Sequence, residues 1–249
     1  MSKFGPWIGG AIGWATMGPI GAILGFAFGK MFSDLSGSSE KDVSGNIGPS
    51  GQKQATRPGD FALSLIILSA AVMKADGKIM RSELEYVKGA LKQNFGQSQA
   101  EQLTRMLREI LEQDIDARQV AEQIWQHMDG SKRLLLLQYL FRIAKADGQI
   151  HEKEVTCIRQ IAGWMGISAG ELRSIEEMFQ AGEADPYKIL EITPEATESE
   201  IKKAYRSLVV KFHPDKIQDL GPSHQKQAEE RFLAIQKAYE KIKAERSIK

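Results

Sequence analysis

The sequence predicts an all-α protein: an N-terminal membrane helix, a helical bundle with an internal repeat, and a C-terminal helical hairpin. Three observations predict it. Residues 4–29 carry no charged side chain. Residues 60–182 repeat apolar positions at helical spacing and show no strand pattern. Residues 183–249 space apolar residues along two further amphipathic helices joined by a proline-containing turn. The expected divisions are an anchor over 1–32, a flexible linker over 33–59, the bundle over 60–182 and the hairpin unit over 183–249.

The first element is justified by length. An uncharged run from Phe4 to Gly29 exceeds the roughly 20 residues a helix needs to span a bilayer. Glycine recurs every fourth residue at Gly5, Gly9 and Gly13 and again at Gly21, Gly25 and Gly29. On a helix each set makes a strip where a second helix approaches closely, so a homodimer through the anchor is expected. Pro19 divides the two strips, and a hairpin breaking at Gly18-Pro19 is the alternative to a single span. The segment lacks the small-residue cleavage site of a signal peptide. Lys3 and Lys30 flank it and barely discriminate orientation. Residues 33–59 follow, rich in Ser, Gly, Asn and Pro, and read as a flexible tether of roughly 25–30 Å.

The bundle is predicted as helices over 60–75, 80–94, 98–112, 116–128, 131–146, 151–165 and 169–180. Its repeat pairs Lys74-Ala75-Asp76-Gly77-Lys78-Ile79 and Glu83 with Lys145-Ala146-Asp147-Gly148-Gln149-Ile150 and Glu154. Apolar positions pair too: Val72 with Ile143, Leu84 with Val155, Val87 with Ile158. Each unit reads as helix, tight Asp-Gly turn, helix. The pattern matches only the second half of an EF-hand loop, because Val72, Lys74, Ile143 and Lys145 occupy earlier ligand positions and cannot bind Ca²⁺. Two readings follow. In the favoured one Gly77 and Gly148 supply positive φ, Asp76 and Asp147 bond their own backbone, and Glu83 and Glu154 face helix N-termini. In the other, Asp76, Glu83, Asp147 and Glu154 make a weak metal site. The repeat resembles the TerB-like (tellurite-resistance) domain, which implies metal ligation by such acidic residues.

The hairpin unit carries the most informative residues. Thr197 and Glu200 form a capping box, after which Ile201, Tyr205, Leu208 and Phe212 make one apolar stripe. Lys202, Lys203 and Arg206 point away as a basic face, and Lys211 lies at its end. The helix runs into His213-Pro214-Asp215-Lys216, where Pro214 stops helical geometry and fixes an imidazole beside a carboxylate. Upstream, Asp185-Pro186-Tyr187-Lys188-Ile189-Leu190 reads as a short helix with Asp as N-cap. Downstream, Ala228, Phe232, Ile235, Tyr239 and Ile242 space out a second amphipathic helix.

These residues resemble the J-domain of the DnaJ family over roughly residues 183–244. Together with anchor and bundle, the order resembles membrane-anchored DnaJ-like co-chaperones of bacteria. The resemblance implies a partner, a DnaK-type chaperone ATPase, whose ATP hydrolysis is stimulated by His213, Pro214 and Asp215. It also implies docking of Lys202, Lys203, Arg206 and Lys211 on that partner's acidic surface. Because that ATPase works in the cytoplasm, the expected location is the bacterial inner membrane, single-pass, with the bulk of the chain in the cytoplasm. No Gly/Phe-rich region or β-rich peptide-binding domain follows the hairpin unit, so client selection is expected from the bundle or the membrane.

Composition narrows the rest. The net charge of +1 gives no global argument for nucleic acid. A single cysteine, Cys157, rules out a disulfide framework or a cysteine zinc motif and reads as a reduced core thiol. His127 reads as a solvent-facing or satisfied core histidine, His151-Glu152 opens a helix without a second His one turn on, and His224 has no evident partner. No nucleophile, base and oxyanion set assembles, so neither an enzyme nor a cofactor is expected. The alternative function is a metal- or stress-responsive adaptor with the hairpin unit as its output.

Overall fold

The computed structural model describes residues 20, 21, 23, 25, 58–180, 184–212 and 221–247. Among the described residues every regular element is a helix: α1 Pro58–Met73, α2 Arg81–Leu111, α3 Ala117–His127, α4 Gly130–Ala144, α5 Glu152–Trp164, α6 Ala169–Phe179, α7 Pro186–Ile189, α8 Glu198–Lys211 and α9 Pro222–Glu245. The spans follow the sequence expectation closely. The two helices expected over 80–94 and 98–112 are the halves of α2, which breaks at Gly96 (φ 76°, ψ 172°).

The core is built on α1 and α4, one from each repeat unit. α1 is apolar almost all round, and Phe61, Leu65, Ile66, Ile67 and Leu68 are fully buried. A helix without a polar face must be surrounded, and α1 packs on α2, α3, α4 and α5. α4 repeats the solution with Leu134, Leu135, Leu136, Leu137, Tyr139 and Leu140. Each such side chain contributes on the order of 2 kcal/mol on burial.

The repeat is a structural repeat. Gly77 (φ 84°) and Gly148 (φ 94°) both take the left-handed region that glycine tolerates. Asp76 Oδ1 accepts the Lys78 N–H at 2.8 Å, and Asp147 Oδ1 accepts the Gln149 N–H at 3.0 Å. At the next helix starts, Glu83 accepts the Met80 N–H at 2.9 Å and Glu154 accepts the His151 N–H at 3.0 Å. The paired apolar positions share burial: Val72, Ile143, Val87 and Ile158 are buried, and Leu84 and Val155 half-buried.

The anchor expected over 1–32 lies almost wholly outside the described residues, as does the tether over 33–59. Of its glycines, only Gly21 and Gly25 are described, both helical; Gly5, Gly9, Gly13 and Gly29 are not. Ile20 is buried, and its N–H donates to Gln123 Oε1 on α3 at 2.9 Å. Among the described residues no helix is long and apolar enough to cross a membrane.

The last three helices close onto the bundle. α9 packs against α7 and α8 and also against α2 and α4, so one hydrophobic core runs through the whole described chain.

Candidate functional site

α8 is positioned from both ends. At its start the Thr197 Oγ1 accepts the Glu200 N–H at 3.3 Å, while Glu200 Oε2 accepts the Thr197 N–H at 2.7 Å. These bonds hold the Glu200 carboxyl below its ordinary value. Ile201 and Leu208 are buried, and Tyr205 stacks on Tyr239 of α9 with ring centroids 4.1 Å apart. At its end Phe212 caps the helix through its N–H to Leu208 O at 2.9 Å and is itself buried. α7 is set by Asp185, whose side chain accepts the Tyr187 N–H at 2.9 Å. Arg246 then ties the end of α9 back, lying over the Tyr187 ring and donating to Ala196 O at 2.6 Å.

The basic face is present but not uniform. Lys203 and Arg206 are exposed. Lys202 is half-buried and pairs with Glu198 at 2.5 Å, one helical turn back. Lys211 differs from the expectation of an open docking residue. Its ammonium pairs with Glu171 at the start of α6, and its carbonyl accepts a hydrogen bond from Ser131 Oγ at 2.9 Å. The Glu171 carboxyl is raised by burial, but Lys211 and the Ser168 backbone and hydroxyl outweigh this and hold it below its ordinary value. His213, Pro214 and Asp215 lie outside the described residues. The last described residue before them is Phe212, whose ring lies under the Arg231 guanidinium at 5.2 Å.

Sequence reasoning missed a second set of residues, on α9. His224, Gln227 and Arg231 are at most 3% exposed and lie on one face. His224 sits edge-on to Phe61 of α1 at 4.9 Å and beside Tyr139 of α4 at 6.0 Å. Its ring nitrogens face the Gln227 amide without a hydrogen bond of ordinary geometry. Burial pushes its pKa down to about 4, which the neighbouring Gln227 amide opposes only partly. Arg231 donates to Ser174 O at 2.8 Å and Ser174 Oγ at 2.5 Å on α6, with Glu191 4.0 Å away. Its pKa is pushed down to about 10 by burial, against the attraction of Glu191 and Glu171. Arg142 of α4 pairs with Glu230 of α9, and Asn94 of α2 accepts the Ser223 N–H at 2.8 Å. The signal was the i, i+3, i+7 spacing of 224, 227 and 231, which continues the apolar stripe of α9 but in polar residue types.

The four acidic repeat residues serve as turns and caps. Glu83 and Glu154 are each 3% exposed, and burial together with the facing Glu154 carboxyl pushes Glu83 up to about 8. Among the described residues no group of three or more His, Cys, Asp or Glu is arranged to hold a metal ion. Cys157 is half-buried with its thiol raised to about 11, in keeping with a core thiol.

Comparison with known proteins now names the parts. The family model described as "Tellurite resistance protein TerB" matches residues 62–177, "DnaJ domain" matches 185–249, and "Co-chaperone DjlA transmembrane domain" matches 1–40. The fold and these matches define the class, a J-domain protein with a TerB-like central domain. The matches run in the order transmembrane, TerB, DnaJ, and the curated relatives the chain is similar to are DjlA co-chaperones. It is 26% identical to the Co-chaperone protein DjlA of Coxiella burnetii over the full length of both chains. It is 29% identical to that of Vibrio vulnificus, covering 80% of this chain and 83% of the relative, and 29% identical to that of Vibrio cholerae, covering 83% and 84%. No solved structure matches.

Proposed function

We propose that the chain stimulates ATP hydrolysis by a cytoplasmic DnaK-type chaperone and recruits it to clients near the bacterial inner membrane. The observation that carries this reading is the capped helix α8, with Lys203 and Arg206 exposed on one face, leading directly into His213-Pro214-Asp215 within the DnaJ match. A basic face speeds encounter with an acidic partner and makes the encounter salt-dependent. In this reading Lys202, Lys203, Arg206 and Lys211 dock the partner. His213, Pro214 and Asp215 act on it, with Asp215 able to pair with an arginine. The N-terminal segment, matched as a DjlA transmembrane domain, holds the chain at the membrane, with the J-domain on the side where DnaK and ATP are found. Single-turnover ATP hydrolysis by DnaK tests the reading: the full chain in vesicles should accelerate it and the His213→Gln chain should not. Equal rates with and without the wild-type chain would contradict it.

A further inference from the structure

The face that α9 buries changes character along its length. Its second half, Ile235, Ala238 and Ile242, is apolar and packs within the J-domain, where Tyr239 meets Tyr205. Its first half, His224, Gln227 and Arg231, is polar and packs on the TerB-like bundle: on Phe61, Tyr139 and Ser174. A face that stays buried permanently gains most from apolar residues, as the second half does. Arg231 donates to Ser174 and lies over Phe212, but its nearest carboxylate stands 4.0 Å away, so its desolvation is only partly offset. The His224 ring and the Gln227 amide add buried polar groups that have only each other, without good hydrogen-bond geometry. The same residues are readily solvated once uncovered. The flanking ion pairs, Arg142–Glu230 and Lys211–Glu171, keep 18–38% of their side-chain surfaces exposed and separate at little cost.

The junction also ends at the functional site. Arg231 reaches from Ser174 to the ring of Phe212, the residue before His213. Ser131 and Glu171 of the bundle hold the carbonyl and ammonium of Lys211. Closing the junction therefore occupies one of the cations that would otherwise face an acidic partner.

We propose that the polar face of α9 is a releasable latch: closed on the TerB-like bundle it withholds Lys211 from DnaK by pairing it with Glu171, and opened it frees that lysine. The inference rests on the reading of the chain as a DnaK co-chaperone.

Two variants of the full chain in vesicles push the latch in opposite directions. Glu171→Gln removes the charge holding Lys211 but keeps an acceptor for the Ser168 N–H, so α6 remains capped. His224→Phe replaces the poorly paired imidazole with an apolar ring between Phe61 and Tyr139 and tightens the junction. Hydrogen exchange over residues 222–231 reads the latch without DnaK, and single-turnover hydrolysis at sub-saturating chain reads its effect. Glu171→Gln should exchange faster and stimulate DnaK roughly two- to fivefold more than wild type, the worth of one partly exposed ion pair. His224→Phe should exchange more slowly and stimulate less. A wild-type chain that stimulates while Glu171→Gln does no better, or does worse, overturns the latch and leaves the co-chaperone reading standing. If no chain stimulates DnaK, the co-chaperone reading fails and the gating of DnaK fails with it.

Discussion

His224 and Glu83 are ionisable groups placed where their charged forms are disfavoured, and each gives stability a pH dependence of opposite sense. The groups facing His224 are Phe61 from α1, Tyr139 from α4 and Gln227 from α9; of these only Tyr139 titrates, and burial raises it well above its ordinary value. With a native pKa of about 4 against 6.5, the open or unfolded chain binds the extra proton. Stability therefore falls as pH drops below 6.5 and levels off near 4, by up to about 3 kcal/mol. Thermal melts of His224→Phe should lose this acid sensitivity; a wild-type melting temperature unchanged from pH 7 to pH 5 would contradict it. Glu83 runs the other way. Its native value of about 8 exceeds 4.5, so its contribution is complete below 4.5 and lost as pH rises through 8. Glu83→Gln keeps an acceptor for the Met80 N–H and cannot ionise. It should match wild type at pH 5 and melt higher at pH 8, whereas a difference independent of pH would sink the assignment. Neither shift was legible in sequence. Glu83 reads as an ordinary capping residue, and only its facing of Glu154 in the fold makes its ionisation costly. His224 reads as a helix-start residue until α1 and α4 are brought against it.

At the scale of elements, most of the fold was legible. The helix ends are set by neighbours in sequence: Thr197 with Glu200, Asp185 before Pro186, Gly77 and Gly148 after their aspartates. Such signals need no knowledge of tertiary structure. Their cost can be checked. A Cβ at Gly77 or Gly148 meets nothing within 4 Å, so alanine there costs only left-handed backbone strain, about 1 kcal/mol at each. Gly221 at the start of α9 is different. Its φ is 91°, and a Cβ would stand 3.0 Å from Asn94 Oδ1 and 3.1 Å from Asn94 O on α2. Gly221→Ala should therefore destabilise more than either turn variant and hasten exchange over residues 222–231. Equal losses at all three positions, by chemical denaturation, would mean that the contact with Asn94 carries no weight.

At the scale of the whole molecule, the parts were legible and their junction was not. The apolar stripe of α9 announces a J-domain helix, and the repeat announces the bundle. The contact between them uses His224, Gln227, Arg231 and Glu230, residue types that a periodicity argument assigns to solvent. Lys211 shows the consequence: on α8 alone it belongs to the basic face, and only the docked bundle supplies Glu171. The account as a whole stands on the claim that this J-domain acts on a DnaK-type ATPase. The most direct measurement is the rate of a single turnover of DnaK-bound ATP against increasing amounts of full chain in vesicles, wild type beside His213→Gln. The account predicts acceleration that saturates for wild type and a flat line for the variant. A flat line for both, or equal acceleration by both, would contradict it.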